Sequence, residues 1–424
     1  MEDRIKAIKV QIYPNLKQKE TIDKTIGCSR FIYNQMLAER INVYEELKDD
    51  KEKLYKYKYK TEKEYKQEFT FLKEASSRAL QQARNDLDVA YKMFYKRVKS
   101  KKDKVGFPKF KSKKKCKLSY REPQLKGNDK QKPAIEIIGN KIKLLKLGNV
   151  RFSGFKGTIK SSDICNVTIT KSKSGKYFAS IAYYSIPKIK VRTDNKVIGI
   201  DLGLKDFVTI SDGRQIKGIQ EEFKAINKKI DKQNQHLSRK TYGSKNYENC
   251  KIKLNRIYEY RTNFLNHFQW SLANYLLRDS SVVVIEDLAV KNMIKNRKLS
   301  KAIHNINWSS FITKLKQKSE EYGSKIVVAD RFFPSSKMCS KCGALKSDLT
   351  LADRTYKCSC GNELDRDLNA SINLRNLFLL ENNLSLEYND YNCGERLNPR
   401  KIVYNFAGTF EEAIKNEIDE CNIC

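Results

Sequence analysis

Residues 196–216 read KVIGIDLGLKDFVTISDGRQI. The apolar run VIGI meets an acid, Asp201, then a short loop and a second apolar run, and Asp212-Gly213 supplies a turn. This is strand, loop, strand, turn, with a carboxylate at the end of the first buried strand. SVVVIEDL (281–288) repeats the design, a buried strand ending on Glu286, and KIVVAD (325–330) reads as another buried strand. Between them, 219–279 predicts two helices broken near Tyr242-Gly243-Ser244. WSSFITKLKQKSEEYG (308–323) predicts a helix with Trp308, Phe311, Ile312, Leu315 and Tyr322 on one face, stopped by Gly323. A last helix starts near Asp367. Hairpin strands followed by βαβ-like alternation predict an α/β unit whose sheet has mixed strand directions.

Upstream the pattern differs. IKAIKVQIYP (5–14) alternates as a strand closed by Pro14. Residues 17–48 and 71–100 carry periodic apolar stripes and read as helices, while the Lys/Tyr-rich 53–67 is ambiguous. From 134 strands take over: 134–153 reads as strand–turn–strand around Gly139-Asn140, and 166–187 as a hairpin turning near Ser174-Gly175. Together with 5–14 these predict a small β-barrel interrupted by a helical insertion at about 17–104. No internal repeat is visible.

The 424 residues carry 85 Lys and Arg against 50 Asp and Glu, a formal charge of +35. A charge that large repels itself unless a polyanion binds, and nucleic acid is the foremost candidate, ahead of an anionic membrane surface. The segment 99–117, KSKKDKVGFPKFKSKKKCK, concentrates lysine around Phe107 and Phe110 and reads as a contact to a nucleic-acid backbone. There is no apolar run of about 18 residues. The start, MEDRIKAIKV, has no signal-peptide pattern. The expectation is a soluble, cytoplasmic protein.

Of eleven cysteines, seven are scattered (Cys28, Cys116, Cys165, Cys250, Cys393, Cys421 and Cys424), which does not resemble a secreted disulfide framework. The other four form Cys339-x2-Cys342, fifteen residues, then Cys358-x-Cys360, with Gly343 and Gly361 after each pair. This spacing predicts two knuckles around tetrahedral Zn²⁺, closed and therefore structural. Carboxylates suit magnesium or manganese instead. Asp201 and Glu286 at neighbouring strand ends, with Asp367 at the start of the last helix, could converge on one or two Mg²⁺ or Mn²⁺ ions. Asp287 faces away from Glu286 along the strand, whereas Asp365 and Asp367 are not separated by pattern alone. His236, His267 and His304 lack paired ligand spacing.

Taken in order, CSRFIYNQML, GFPKFKSKKK, GIDLGLKDF, VIEDL, DRFFPSSKMCSKCG and CSCGNELDRDLNASINL resemble the successive motifs of the TnpB family, the OrfB-type proteins of insertion sequences and relatives of compact type V CRISPR effectors. The resemblance covers roughly 5–377. It implies an RNase H-like, RuvC-type nuclease domain (191–334 and 362–380) with a target-binding zinc ribbon inserted (335–361). It also implies a wedge-type β-barrel (1–16 and 105–190) carrying a helical recognition insertion (17–104), and a tail, 381–424, with no assigned role. It further implies an RNA-guided endonuclease of the bacterial cytoplasm, with no membrane partner, that takes a guide RNA from the transposon end and cuts target double-stranded DNA. The catalytic and magnesium-binding acids it implies are Asp201, Glu286 and Asp367, the last because the family's third acid stands in a D-x-N-A pattern, here DLNA. All three are present, which weighs against a non-cleaving RNA- and DNA-binding regulator. A transposase that itself joins strands is the remaining alternative. The ribbon, joined to Asp367 by a short linker, is also expected to help position that acid.

Overall fold

The computed structural model describes residues 4–100, 106–124, 133–155, 157–186, 189, 191–350, 353–385 and 396–397. The chain divides into two units, Met1–Pro187 and Lys188–Cys424.

In the first unit β1 (Arg4–Tyr13) buries Val10 and Ile12 and stops at Pro14, which has no N–H to continue a ladder. Asn15 then caps α1 (Leu16–Leu47). Its side chain accepts the Gln18 N–H at 2.8 Å, and the Gln18 side chain accepts the Asn15 N–H at 3.0 Å, a reciprocal capping box. Two short helices, α2 (Lys51–Lys56) and α3 (Glu62–Glu68), occupy the Lys/Tyr-rich stretch, and α4 (Ser77–Lys99) packs on α1. Ile32, Leu37, Leu72, Leu80 and Leu87 form the buried seam of this helical insertion.

The remaining elements of this unit are β2 (Leu118–Pro123), β3 (Glu136–Ile138), β4 (Lys141–Leu144), β5 (Gly148–Ser153), β6 (Ile164–Lys171) and β7 (Tyr177–Ser185). They join β1 in one antiparallel sheet of order β2-β6-β7-β1-β5-β4-β3. Among the described residues its backbone ladder runs from β2 to β3 without a β2–β3 pairing. One amide spans the gap. Gln124, just after β2, donates to the carbonyls of Ile135 and Ser161 at 2.8 and 2.9 Å and accepts the Ile135 N–H at 2.9 Å. Residues 134–153 give three strands rather than two. The additional turn has Lys146 and Gly148 at φ 59° and 66°, and a lysine there leaves no turn signature in the sequence.

The second unit holds β8 (Val197–Asp201), β9 (Asp206–Ile210), β10 (Gln215–Lys217), α5 (Gln220–Ser238), α6 (Lys245–Arg278), β11 (Val282–Glu286), α7 (Val290–Met293), α8 (Arg297–Ile306), α9 (Trp308–Tyr322), β12 (Lys325–Ala329), β13 (Thr355–Lys357), β14 (Glu363–Asp365), α10 (Arg366–Glu381) and β15 (Arg396–Leu397). Its main sheet has the order β12-β11-β8-β9-β10-β15. β8, β9 and β10 run antiparallel, while β11 lies parallel to β8 on one side and to β12 on the other. The mixed directions are those expected. β12 is not the buried strand that its apolar run suggests. It is an edge, and Val328 is 43% exposed, because an apolar run alone does not tell a central strand from an edge. Apart from 381–385 and 396–397, the tail lies outside the described residues, as do Cys393, Cys421, Cys424 and residues 101–105 of the basic segment.

Alternation along β11 puts Val283 and Ile285 into a core shared with α5, α6 and α9, where Phe207 meets Phe268 and Phe311 edge-on at 5.1 and 5.2 Å. Val284 faces the opposite side with Ala329, Leu374 and Phe378, under α10. That helix approaches β8 through Gly199. A Cβ there would lie 2.0 Å from the Ser371 carbonyl oxygen and 2.6 Å from the Arg375 amide nitrogen. No side chain fits without lifting α10 off the sheet. Gly199→Ala is therefore expected to cost about 3 kcal/mol or more in denaturant unfolding, at or beyond the usual overpacking range, since backbone has to move. Unchanged stability would show that α10 does not lie against β8.

Candidate metal and nucleic-acid site

β8 and β11 are parallel neighbours in the register Ile200 opposite Ile285, so the next residue on each, Asp201 and Glu286, emerges at the same end of the sheet. α10 crosses that end. Asp367 lies one turn before Ser371, which sits against Gly199, and its Oδ2 is 4.0 Å from where a Gly203 Cβ would stand. The three predicted acids are thus gathered on three elements at one rim.

Their fields interact. Burial first, then the charges of Asp367 and Glu286, push the Asp201 carboxyl up to about 8. Burial and the neighbouring Asp365 raise Asp367, and burial raises Glu286 against a hydrogen bond from Ser335. The carboxylates are neighbours without being clamped together. Among the described residues, the four cysteines form the one group of potential ligands whose atoms all lie within 4.8 Å of one another. Arg366 and Arg354 offset part of this charge, and acids kept adjacent at one partly buried rim make a donor set that fits a hard divalent ion, which binds carboxylate oxygen.

The alternatives left open by pattern are now separated. Asp365 caps α10, accepting the N–H groups of Asp367 and Leu368 at 3.0 and 3.2 Å, so its carboxylate serves the helix. Asp287 pairs with Arg331 at 2.5 Å. His236 and His304 are exposed, and His267 meets the Ser271 hydroxyl at 3.2 Å. One acid was not foreseen. Asp206, 6% exposed at the start of β9, adds its charge to the field on Asp367. Its only signal in the sequence was an acid opening a buried run.

The cysteines form two knuckles. In the first, the Gly343 N–H reaches the Cys339 carbonyl at 2.9 Å, and in the second the Gly361 N–H reaches the Cys358 carbonyl at 3.1 Å. Both glycines have the positive φ (76° and 83°) that such turns require. The Sγ atoms of Cys339 and Cys360 are 3.7 Å apart, and those of Cys342 and Cys358 are 3.6 Å apart. Four sulfurs at about 2.3 Å from a tetrahedral zinc would be about 3.8 Å from one another, so the set fits Zn²⁺. Burial pushes the Cys339 thiol up, but the amides of Cys342, Lys341 and Asn362 aim at its sulfur and bring it down to about 6, towards the thiolate that binds metal.

In the first unit the basic segment is anchored by Lys111, whose ammonium sits over the Tyr33 ring at 3.7 Å. The Asn34 amide donates to the Lys111 carbonyl at 3.0 Å and accepts its N–H at 2.8 Å. Phe107 packs edge-on to Tyr91 and Phe94 at 5.6 and 5.2 Å. Lys113, Lys114 and Lys115 remain exposed, as does Phe110 at 56%. Among the described residues no helix is long and apolar enough to cross a membrane.

Comparison with known proteins places these features together. Three family models match: "Helix-turn-helix domain" of the OrfB_IS605 type over residues 1–49, "Probable transposase" (OrfB_IS605) over 180–297 and "Cas12f1-like, TNB domain" over 308–374. Within 1–49 the structure has a strand and one continuous helix, not two helices. A Streptomyces pristinaespiralis protein named "Putative RNA-guided DNA endonuclease" is 30% identical over 88% of this chain and 89% of its own length. "Putative RNA-guided DNA endonuclease InsQ" of Escherichia coli K12 is 26% identical over 84% and 87%. Among solved structures, a cryo-EM structure of a Cas12f1–sgRNA–target DNA complex superposes with a TM-score of 0.55 at 13% identity, covering 88% of this chain and 99% of that one, which is likeness of fold.

Proposed function

Because this chain belongs to the TnpB (OrfB-type) family, we propose that it is an RNA-guided DNA endonuclease that hydrolyses phosphodiesters at the rim formed by Asp201, Glu286 and Asp367. The observation that carries this reading is the gathering of three acids at one rim, where burial first and then the charges of Asp367 and Glu286 push the Asp201 carboxyl up to about 8. The three carboxylates hold one or two Mg²⁺ or Mn²⁺ ions. Such ions, when bound, activate water and stabilise the leaving oxygen of a phosphodiester. Asp365 fixes the first turn of α10 and with it the backbone of Asp367. Gly199 lets that helix come close enough to complete the rim.

The zinc ribbon spans 335–361 and is structural. It interrupts an RNase H-like domain made of 191–334 and 362–380, a reading supported by the sheet order and by the four-sulfur geometry. Residues 1–16 and 105–190 are the wedge-type unit, its sheet bridged between β2 and β3 by Gln124, and 17–104 the recognition insertion. The division of the chain after residue 187 and the helical seam between α1 and α4 support this. The charge of +35 and the exposed lysines at 113–115 favour a guide RNA, taken from the end of the element, and target DNA as partners, in the cytoplasm. The testing experiment is cleavage of a matched duplex by the purified protein, its RNA and Mg²⁺.

A further inference from the structure

Asn369, Asn373 and Asn376 lie on one face of α10 and are 0%, 1% and 7% exposed. Asparagine is a poor residue for a helix interior, and a buried amide without partners is costly. These amides find their partners in the backbone of residues 335–340, the entrance to the ribbon. Asn369 is the most informative. Its Nδ2 donates to the Met338 carbonyl at 2.7 Å, and its Oδ1 accepts the Ser340 N–H at 3.0 Å. Those two groups flank Cys339, the one sulfur ligand that is fully buried. A single side chain thus brackets the backbone of a zinc ligand from both sides. Asn373 reinforces the grip, donating to the carbonyls of Ser335 and Met338 at 2.7 and 2.6 Å.

Asn369 stands two residues after Asp367 on the same helix. Apolar side chains could have buried this face equally well. They would not have fixed register, whereas a satisfied polar network is directional and rigid.

We propose that Asn369 is a positioning residue that couples the zinc knuckle at Cys339 to Asp367, so that an intact ribbon sets the affinity of the acid rim for its divalent ion. This rests on the reading that Asp201, Glu286 and Asp367 hold that ion. Partners that orient metal ligands from behind are worth about 10–100-fold in affinity or activity.

The test uses the full-length protein with its co-purified RNA and no DNA. Mn²⁺ binding is followed at fixed temperature by the EPR signal of the free ion, and zinc by elemental analysis. Wild type is expected to bind Mn²⁺ at a site that Asp201→Ala removes. Asn369→Ala is expected to keep its zinc but to need about 10–100-fold more Mn²⁺, with cleavage falling in step and recovering at high Mn²⁺. Stripping zinc should shift the wild-type midpoint by a similar factor and add little to the shift in Asn369→Ala, since two steps on one path are not additive.

A wild-type Mn²⁺ midpoint in Asn369→Ala would overturn the proposal. So would zinc removal that shifts this variant as far as it shifts wild type. Should the alanine variant not fold, Asn369→Ser keeps a polar group on α10 but is too short to hold both Met338 and Ser340. It should show a smaller shift of the same sign, and a wild-type midpoint there is equally fatal. An Mn²⁺ isotherm identical in wild type and Asp201→Ala, with the same RNA present in both, would instead refute the acid rim itself, an outcome read independently of Asn369.

Discussion

Asp201→Ala is expected to lower cleavage by about 1,000-fold or more, the scale of losing a principal source of transition-state charge stabilisation. RNA binding and thermal stability should be kept. The variant loses a carboxyl that burial and two like charges already disfavour in its ionised form, so it should be at least as stable as wild type without metal. The same shift fixes a pH dependence. The Asp201 carboxyl is raised from 3.8 to about 8 in the folded chain. In metal-free protein its neutral form therefore contributes stability that is full below about pH 4 and lost as pH rises through about 8. A divalent ion binds the ionised form and opposes that loss. At limiting Mg²⁺, cleavage by wild type should rise with pH towards 8, and saturating Mg²⁺ should flatten the rise. Cleavage by Asp201→Ala at the wild-type rate would place the chemistry elsewhere.

Removal of zinc is expected to be the second large effect. Structural zinc contributes directly to folding, with apparent values of about 10–16 kcal/mol in small zinc-finger peptides. Apart from the grip of α10 on Ser335, Met338 and Ser340, the described part of the ribbon is held by a two-stranded sheet, β13 with β14, and a small core around Cys339, Leu349 and Tyr356. Chelation or Cys342→Ser should therefore unfold 335–361, lower the melting temperature and reduce cleavage, although none of the three acids is substituted. Loss of cleavage follows because the segment that α10 grips at Met338 and Ser340 loses its order. An apo protein as stable as the zinc-loaded one would contradict the closed four-cysteine site.

Much of this was legible in the sequence because the decisive signals are local. Gly213, Gly175 and Gly323 mark turns and a helix stop through a backbone conformation that other residues rarely adopt, and all three take positive φ. Apolar runs that end on acids placed Asp201 and Glu286 at strand ends, and the cysteine spacing marked the knuckles. What was not legible depends on partners distant in sequence. Whether β12 lies at an edge is decided by the strand that would be beside it. How the two ends of the first unit's sheet are joined depends on Gln124 meeting Ile135 and Ser161. Asp365 and Asp367 were separated only by the family's D-x-N-A pattern, and α10 supplies the physical reason: the Asp365 carboxylate turns back onto its own helix amides. Asn369 stands in the D-x-N-A pattern, but nothing local says that a polar residue on a helix will face a protein backbone rather than water, and Asn373 and Asn376 gave no signal.

The central claim is that this chain cuts DNA chosen by an RNA it carries. The most direct measurement is to sequence the RNA that co-purifies with the protein and then present, with Mg²⁺, a duplex matching that RNA and one scrambled against it. The account predicts a defined RNA species and cleavage of the matched duplex alone, lost in Asp201→Ala and after RNase treatment of the protein before DNA is added. Absence of any defined RNA, or equal cutting of both duplexes, would contradict it.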